Sequence, residues 1–232
     1  MSDISPSKLA RVLADAARAL LAQGSEQETL ERIAALATST VPGCEHGGIL
    51  LLHAGGRIEP RAATSDVVRT SDQLQLELGE GPCLDALWEQ ETYRVDDMAA
   101  ESRWPQYGPR ARELGIGSML GFQLFTSADT LGALNLYAGD THAFEDQAED
   151  VGWVFASHAA VALAGAAYGA QMEAAVFTRQ EIGEAVGIVM ERHRLTREDA
   201  FDVLRRASQE FNVKLRELAR QVTETGEIPR RD

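Results

Sequence analysis

The sequence predicts an α+β fold, in which an antiparallel sheet flanked by helices is joined by a long helix to an all-α three-helix domain. Three observations carry this. Stretches of strand type (GGILLLH, RIEPRAAT, TYRV, SMLGFQLF and LGALNLYAG) lie between residues 47 and 139. Helical signals precede, interrupt and follow them. From Thr178 onward no strand signal recurs, and the charge balance changes: residues 178–232 hold 11 basic and 11 acidic side chains, residues 1–177 hold 11 and 25. The whole net charge of −14 therefore belongs to the first part.

In chain order, Ser5 and Pro6 open a helix to about Gln23, because proline suits the first helical position. Ser25 and Glu28 have capping-box spacing for a second helix, with Leu30, Ile33, Ala34, Leu36 and Ala37 on its apolar face; Pro42 and Gly43 end it. GGILLLH and RIEPRAAT are strands around an Ala54-Gly55-Gly56 turn. VRTSDQLQLELGEG ends in glycines. Pro82 starts a short helix, CLDALWEQ, and TYRV is a strand. PQYGPRARELG is a helix closed by Gly115, and SMLGFQLF and LGALNLYAG form a hairpin around TSADT.

A long helix starts near Glu145. Apolar residues recur along it every seven positions: Val154, Val161, Tyr168, Ala175, Ile182 and Val189. This is either an accident of an alanine-rich helix or a coiled-coil seam joining the domains and pairing two chains. In the last quarter Thr196 caps one helix, Asn212 another, and Gly226 with Pro229 stops the last. Its expected core is Ile182, Val186, Val189, Leu195, Phe201, Leu204, Phe211, Leu215, Leu218 and Val222.

Composition narrows the function. A pI near 4.8 disfavours diffuse binding to polyanions, so a nucleic-acid partner must meet a local basic surface. Cys44 and Cys83 form neither a disulfide framework nor a metal motif. The N-terminus lacks a secretory pattern, and a reducing cytoplasm is expected. Residues 151–168 just reach the length of a membrane span, but seven are alanine and His158 sits among them, so a packing helix is expected instead. The five histidines are scattered, no P-loop or nucleophile elbow is present, and neither an enzyme nor a metal site is expected. No cofactor is indicated.

Residues 178–225 resemble the ANTAR domain, an RNA-binding three-helix module of bacterial antiterminators. The resemblance rests on A-x-G-I-V-M at 185–190, A-F-x-x-L-R at 200–205, Ser208, Asn212 and L-x-x-L-A at 215–219. Residues 25–170 resemble the GAF domains found before ANTAR in actinobacterial regulators, through G-E-G-P-C-L-D-A-L at 79–87, R-W-P at 103–105 and L-G-A-L-N-L-Y at 131–137. The resemblance implies a GAF-like sensory and dimerisation domain of six-stranded antiparallel type over residues 1–170, and an ANTAR-like output domain over 171–232. Val186 stands where the family often has lysine.

Candidate sites follow. The arginines of the last quarter are either paired along helices or turned to RNA. Arg206 lies four residues from Asp202 and from Glu210, and Arg220 four from Glu224, so pairing is expected to compete most there. Lys214 and Arg216 follow Asn212 at a helix start, where cations oppose the dipole and exposed N–H groups bind anions. The candidate RNA-contacting set is Arg179, Ala185, Gly187, Arg192, Arg205, Arg206, Ser208, Gln209, Asn212, Lys214 and Arg216. Gly187 serves close approach of RNA or tight helix packing. Cys83, Trp88, Trp104, Tyr107, Met119, Phe122 and Tyr137 are the candidate lining of a small-molecule pocket, or else core. Cys83, at a helix start, is either a dipole-favoured thiolate or a small buried hydrophobe. Two functions are in contention. One is an antiterminator binding paired RNA hairpin loops as a homodimer. The other is a signalling adaptor whose helical tail only dimerises.

Overall fold

The computed structural model describes residues 6–22, 24–88, 92–127 and 129–229. Ser5, Gln23 and the Glu89–Gln90 end of the expected short helix lie outside them. The chain forms two compact units, Met1–Ala167 and Tyr168–Asp232. The first contains α1 (Pro6–Leu20), α2 (Glu26–Thr40), β1 (His46–Leu52), β2 (Ile58–Ala63), α3 (Asp66–Leu78), α4 (Pro82–Trp88), β3 (Thr92–Val95), α5 (Tyr107–Glu113), β4 (Ser118–Phe125), β5 (Thr130–Ala138) and the start of α6 (Asp146–His193). The strands form one antiparallel sheet in the order β2-β1-β5-β4-β3. Five strands are present among the described residues, one fewer than the resemblance implies.

Successive strand residues point to opposite faces, so the sheet separates two cores. One face carries Ile49, Leu51, Leu120, Phe122, Leu124, Leu134 and Leu136 against α1, α2 and α6. The other carries Leu50, Tyr93, Val95, Met119, Ala133 and Tyr137 against α3, α4 and α5. Adjacent glycines in β1 allow helices onto both faces. A Cβ on Gly47 would lie 2.9 Å from the Ala34 carbonyl oxygen of α2, and one on Gly48 would lie 2.5 Å from Val68 Cγ1 of α3.

Local signals explain several boundaries. Ser25 and Glu28 form the full capping box of α2. Ser65 caps α3, accepting from the Val68 N–H. Sequence periodicity missed α3, and the reason is chemical: its buried residues are Val68, Ser71, Asp72 and Gln75, only one of them apolar.

Helix α6 runs unbroken for 48 residues. It is the one helix, among those described, long and apolar enough to cross a membrane by composition. Within that stretch Val151, Phe155, Ala156, Ala159, Ala160, Ala162 and Leu163 pack into the first sheet face. The seven-residue step is not one uniform seam. Val154, Val161, Tyr168 and Ala175 are exposed, Ile182 is half-buried, and Val189 is buried in the second unit's own core.

That second core joins Ala185, Val186 and Val189 of α6 to Ala200, Leu204 and Ala207 of α7 (Arg197–Glu210) and Leu218, Ala219 and Val222 of α8 (Leu215–Thr225). Thr196 caps α7 by accepting from the Asp199 N–H, and left-handed Gly226 ends α8. Two expectations are corrected. Phe201 is 39% exposed and not core, because Ala200 and Leu204 occupy the inward face of α7. Asn212 does not cap α8; it takes a left-handed conformation (φ 51°) in the turn, and Lys214 is the N-cap.

Candidate functional site

The α7–α8 turn is built by small polar groups. Ser208 Oγ donates to the Val213 carbonyl at 2.7 Å, and the Asn212 N–H reaches the Gln209 carbonyl at 3.3 Å. Lys214 caps α8 without any side-chain hydrogen bond; the Glu217 N–H bonds the Lys214 carbonyl at 2.9 Å, so the N–H groups left for an anion are those of Leu215 and Arg216. Ser208 and Asn212 thus shape the turn that presents this end.

The cations around it divide into paired and unpaired. Arg205 pairs with Asp202 at 3.0 Å, Arg216 lies 3.8 Å from Glu217, and Arg220 lies 3.5 Å from Glu224. Pairing thus falls on Arg205, where it was expected to compete less, and spares Arg206. Arg179, Arg206 and Lys214 are exposed and have no ion-pair partner among the described residues. Arg192 donates to the Gly226 carbonyl and lies 3.5 Å from Glu227, which ties α6 to the end of α8. Gln209 is exposed.

Ala185 leaves the candidate set: its side chain is fully buried between the helices and offers no surface. Val186, at the position where lysine is common, is likewise core. Gly187 is exposed, and a Cβ there would meet nothing within 4 Å. Tight packing inside this chain therefore does not explain it.

The candidate pocket residues do not form one group. Cys83, Trp104, Tyr107, Met119 and Tyr137 come together under α3, α4 and α5. Phe122 faces the opposite core, because three residues along β4 from Met119 reverses the face. Trp88 is 59% exposed at the end of α4. Cys83 is no thiolate: burial first, then the neighbouring Asp72 carboxyl, push its thiol well above the ordinary range. Gln75 holds it from both sides, donating to Sγ at 2.8 Å and accepting the Cys83 N–H at 2.9 Å.

Sequence reasoning missed the centre of this cluster. Asp72 is fully buried. Its Oδ1 accepts from the Tyr137 hydroxyl at 2.5 Å and from Asn135 Nδ2 at 3.5 Å. Burial pushes its pKa up to about 7, against the lowering effect of those two bonds. Asp72 Oδ2 and Asn135 Oδ1 are both buried without a protein partner. Ser71 and Tyr107 share a 2.7 Å hydrogen bond, and the Tyr107 hydroxyl donates to Met119 Sδ at 3.2 Å. The usable sequence signal was a helical spacing of polar residues, Ser71, Asp72 and Gln75, opposite polar Asn135 and Tyr137 in a strand.

Two of the three first-unit motifs, at 79–87 and 103–105, staple this face together. Glu80 accepts from the Gln106 side chain at 2.7 Å and from the backbone N–H groups of Gln106 and Tyr107, which caps α5. Asp85 accepts the Trp104 indole N–H at 2.8 Å. Arg103 stacks over the Trp104 ring at 4.5 Å and pairs with Glu101 at 2.6 Å. Among the described residues no three His, Cys, Asp or Glu side chains converge as a metal site.

Residues 23–164 match the GAF domain family, and residues 170–222 match the ANTAR domain family. Solved structures share the fold of the first unit. The GAF domain of a phosphoenolpyruvate-protein phosphotransferase from Coxiella burnetii is 19% identical, with a TM-score of 0.59, over 72% of this chain and 99% of that one. The free methionine-R-sulfoxide reductase of Neisseria meningitidis, solved with its substrate, is 14% identical, with a TM-score of 0.57, over 73% of this chain and 96% of that one. The photosensory core module of a Stigmatella aurantiaca phytochrome is 9% identical, with a TM-score of 0.60, over 90% of this chain and 46% of that one. No curated protein matches the chain.

Proposed function

The chain belongs to the GAF domain family and carries an ANTAR domain behind it, and from that premise we propose an RNA-binding antitermination regulator that grips paired hairpin loops of a nascent transcript under control of its GAF unit. The two domains are regulatory in type and support a regulator of this class. The observation that carries the RNA reading is the α7–α8 turn. It joins unpaired Arg206 and Lys214 to an uncapped helix start, and the N–H groups there suit a phosphate. Arg179, Arg205, Arg216, Gln209, Asn212 and the bare surface at Gly187 are the further proposed contacts. Single-stranded loops are the fitting target, since their bases and backbone are open to side chains. The acidic first unit limits non-specific binding. Residues 1–170 are the proposed sensory and dimerisation part and 171–232 the RNA-binding part, acting in the cytoplasm.

Pairing of two chains is supported by the apolar residues that α6 leaves exposed: Trp153, Val161, Tyr168, Met172, Val176 and Phe177. Sedimentation equilibrium is expected to give twice the 25.2 kDa chain mass. For RNA, Arg206→Ala is measured on a two-hairpin RNA at several salt concentrations. We expect weaker binding and a salt slope reduced by about one counterion, with the fold unchanged. Wild-type affinity and slope would make the cations solvated helix charges and favour an adaptor. Small molecules are proposed to act on the face lined by Cys83, Trp104, Tyr107, Met119 and Tyr137.

A further inference from the structure

One exposed apolar side chain on a surface is ordinary and needs no explanation by itself. Phe201 differs in its frame. It is 39% exposed, and among the described residues it is the one large hydrophobic side chain left exposed on α7 or α8. Side chains four apart on a helix stand one above the other, about 6 Å apart. On that ridge Arg197 lies one turn before Phe201, Arg205 lies one turn after it, and Ser208 follows. Both arginines are exposed. Arg197 has no ion-pair partner among the described residues, although a cation in the first turn of a helix opposes its dipole. Arg205 pairs with Asp202, and the two side chains are 54% and 46% exposed, so the pair is worth little and can give way to a phosphate. Ser208 joins the ridge to the α7–α8 turn through its bond to the Val213 carbonyl. The other flank of α7 is occupied, because Val203 packs on the core of the unit.

We propose that Phe201, framed by Arg197 and Arg205, is a stacking platform for an unpaired base of the RNA. This rests on the RNA-binding reading and adds a base contact to the phosphate contacts at the turn. The chemistry is complementary. An unpaired base offers a flat face, and aromatic side chains are what such bases stack on. The phosphates on either side of that base meet the two arginines. A protein partner fits less well. At 39% exposure about 60–100 Å² of the phenylalanine is bare, whereas a stable protein interface covers about 800 Å² a side. The positions around the ring are charged, Arg197, Glu198, Asp202 and Arg205, so no larger apolar contact can grow from it. Arg206, five residues on, stands well round the helix from the ridge. The platform and the turn are therefore separable contacts.

The test uses the full-length protein and a two-hairpin RNA at several salt concentrations. Stacking releases no counterion, so the two kinds of contact have different signatures. Phe201→Ala is expected to weaken binding by about tenfold with an unchanged salt slope, the loss of one stacked base. Phe201→Leu, which keeps an apolar side chain without an aromatic face, is expected to lose most of the same factor, and Phe201→Trp to keep wild-type affinity. Arg197→Ala is expected to weaken binding and to reduce the slope by about one counterion. RNAs with a single abasic nucleotide at each loop position in turn locate the base. At one position the abasic RNA is expected to bind the wild type about tenfold more weakly than intact RNA, and to bind Phe201→Ala as well as intact RNA does. Circular dichroism checks each fold, and the leucine and tryptophan variants carry the test if the alanine variant does not fold. Wild-type affinity in Phe201→Leu, or abasic losses that are the same in wild type and variant, overturns the stacking assignment. If Arg206→Ala still weakens binding, that outcome leaves the RNA-binding reading standing. A Phe201→Ala protein that sediments as a monomer where the wild type is a dimer also overturns the assignment, and gives the ring to an interface between copies. The RNA-binding reading itself fails, and the platform with it, if the wild type binds no hairpin RNA.

Discussion

The two candidate sites of this chain are built in opposite ways. In the first unit the chemistry is closed: Asp72, Asn135, Ser71 and Gln75 are fully buried beneath α3 and α4. In the second it is open: Arg206 and Lys214 stand in solvent, and the core behind them, Leu204, Leu218 and Val222, is wholly apolar. A closed polar site is part of the fold's stability, whereas an open charged site is nearly independent of it. Substitutions in the first should therefore move stability and its pH dependence. Substitutions in the second should move binding far more than stability.

The largest expected effect sharpens that contrast. Asp72 is pushed up to about 7 by burial, from an ordinary 3.8. Its raised pKa means that the unfolded chain loses this proton first. Nothing is lost below about pH 4, where both states hold the proton. Stability then falls as pH rises from about 4 to about 7, by up to about 4 kcal/mol, and levels off above that. Urea unfolding across this range should show the fall, and Asp72→Asn should remove this group's share of the slope. An unchanged slope in the variant would mean that the carboxyl is not buried as described.

Next comes the core of the open unit. Leu204→Ala should cost about 2–5 kcal/mol, whereas Phe201→Ala, on the half-open outer face of α7, should cost well under that. Equal losses in thermal melts would put Phe201 back in the core. Third, Tyr107→Phe should cost about 1–3 kcal/mol, because Ser71 Oγ is left buried without its partner. A neutral result would show that Ser71 finds another partner, and that the closed site is more adaptable than its geometry implies.

These contrasts show what was legible beforehand. Short apolar stretches bounded by turn residues announced the strands, and capping pairs such as Ser25–Glu28 and Thr196–Asp199 announced helix starts, because both signals are local. The α3 helix was not legible: its inward residues are polar, and apolar periodicity cannot see a buried aspartate. The closed site was hidden for the same reason. Tyr137 and Cys83 were found as bulky or reactive residues, but the Asp72 that organises them was not. Phe122 was placed wrongly because a composition of aromatics carries no face, and its face followed only from the register of β4. In the open unit the basic residues were visible as letters. Which of them are neutralised depended on rotamers, and Arg205 took Asp202 while Arg206 did not.

The smallest effect is the most discriminating, since its two readouts should move in opposite directions. Lys214 occupies the N-cap of α8 without a capping side chain. Lys214→Ser supplies an oxygen that can accept from the first-turn N–H groups, so the variant should be more stable by about 0.5–1 kcal/mol. It also removes a cation that opposes the helix dipole, which adds to the gain. If the helix start is where RNA phosphate sits, the same change removes an attractive charge and occupies the N–H groups with a serine oxygen. RNA affinity should then fall, and its salt slope should drop by about one counterion. Thermal melts and RNA titrations of a single protein preparation read both quantities. Rising stability with falling affinity marks a position kept uncapped for a ligand. Rising stability with unchanged affinity would place the RNA contact elsewhere on the unit, along α6 at Arg179 and Gly187, and would reduce Lys214 to a poor cap.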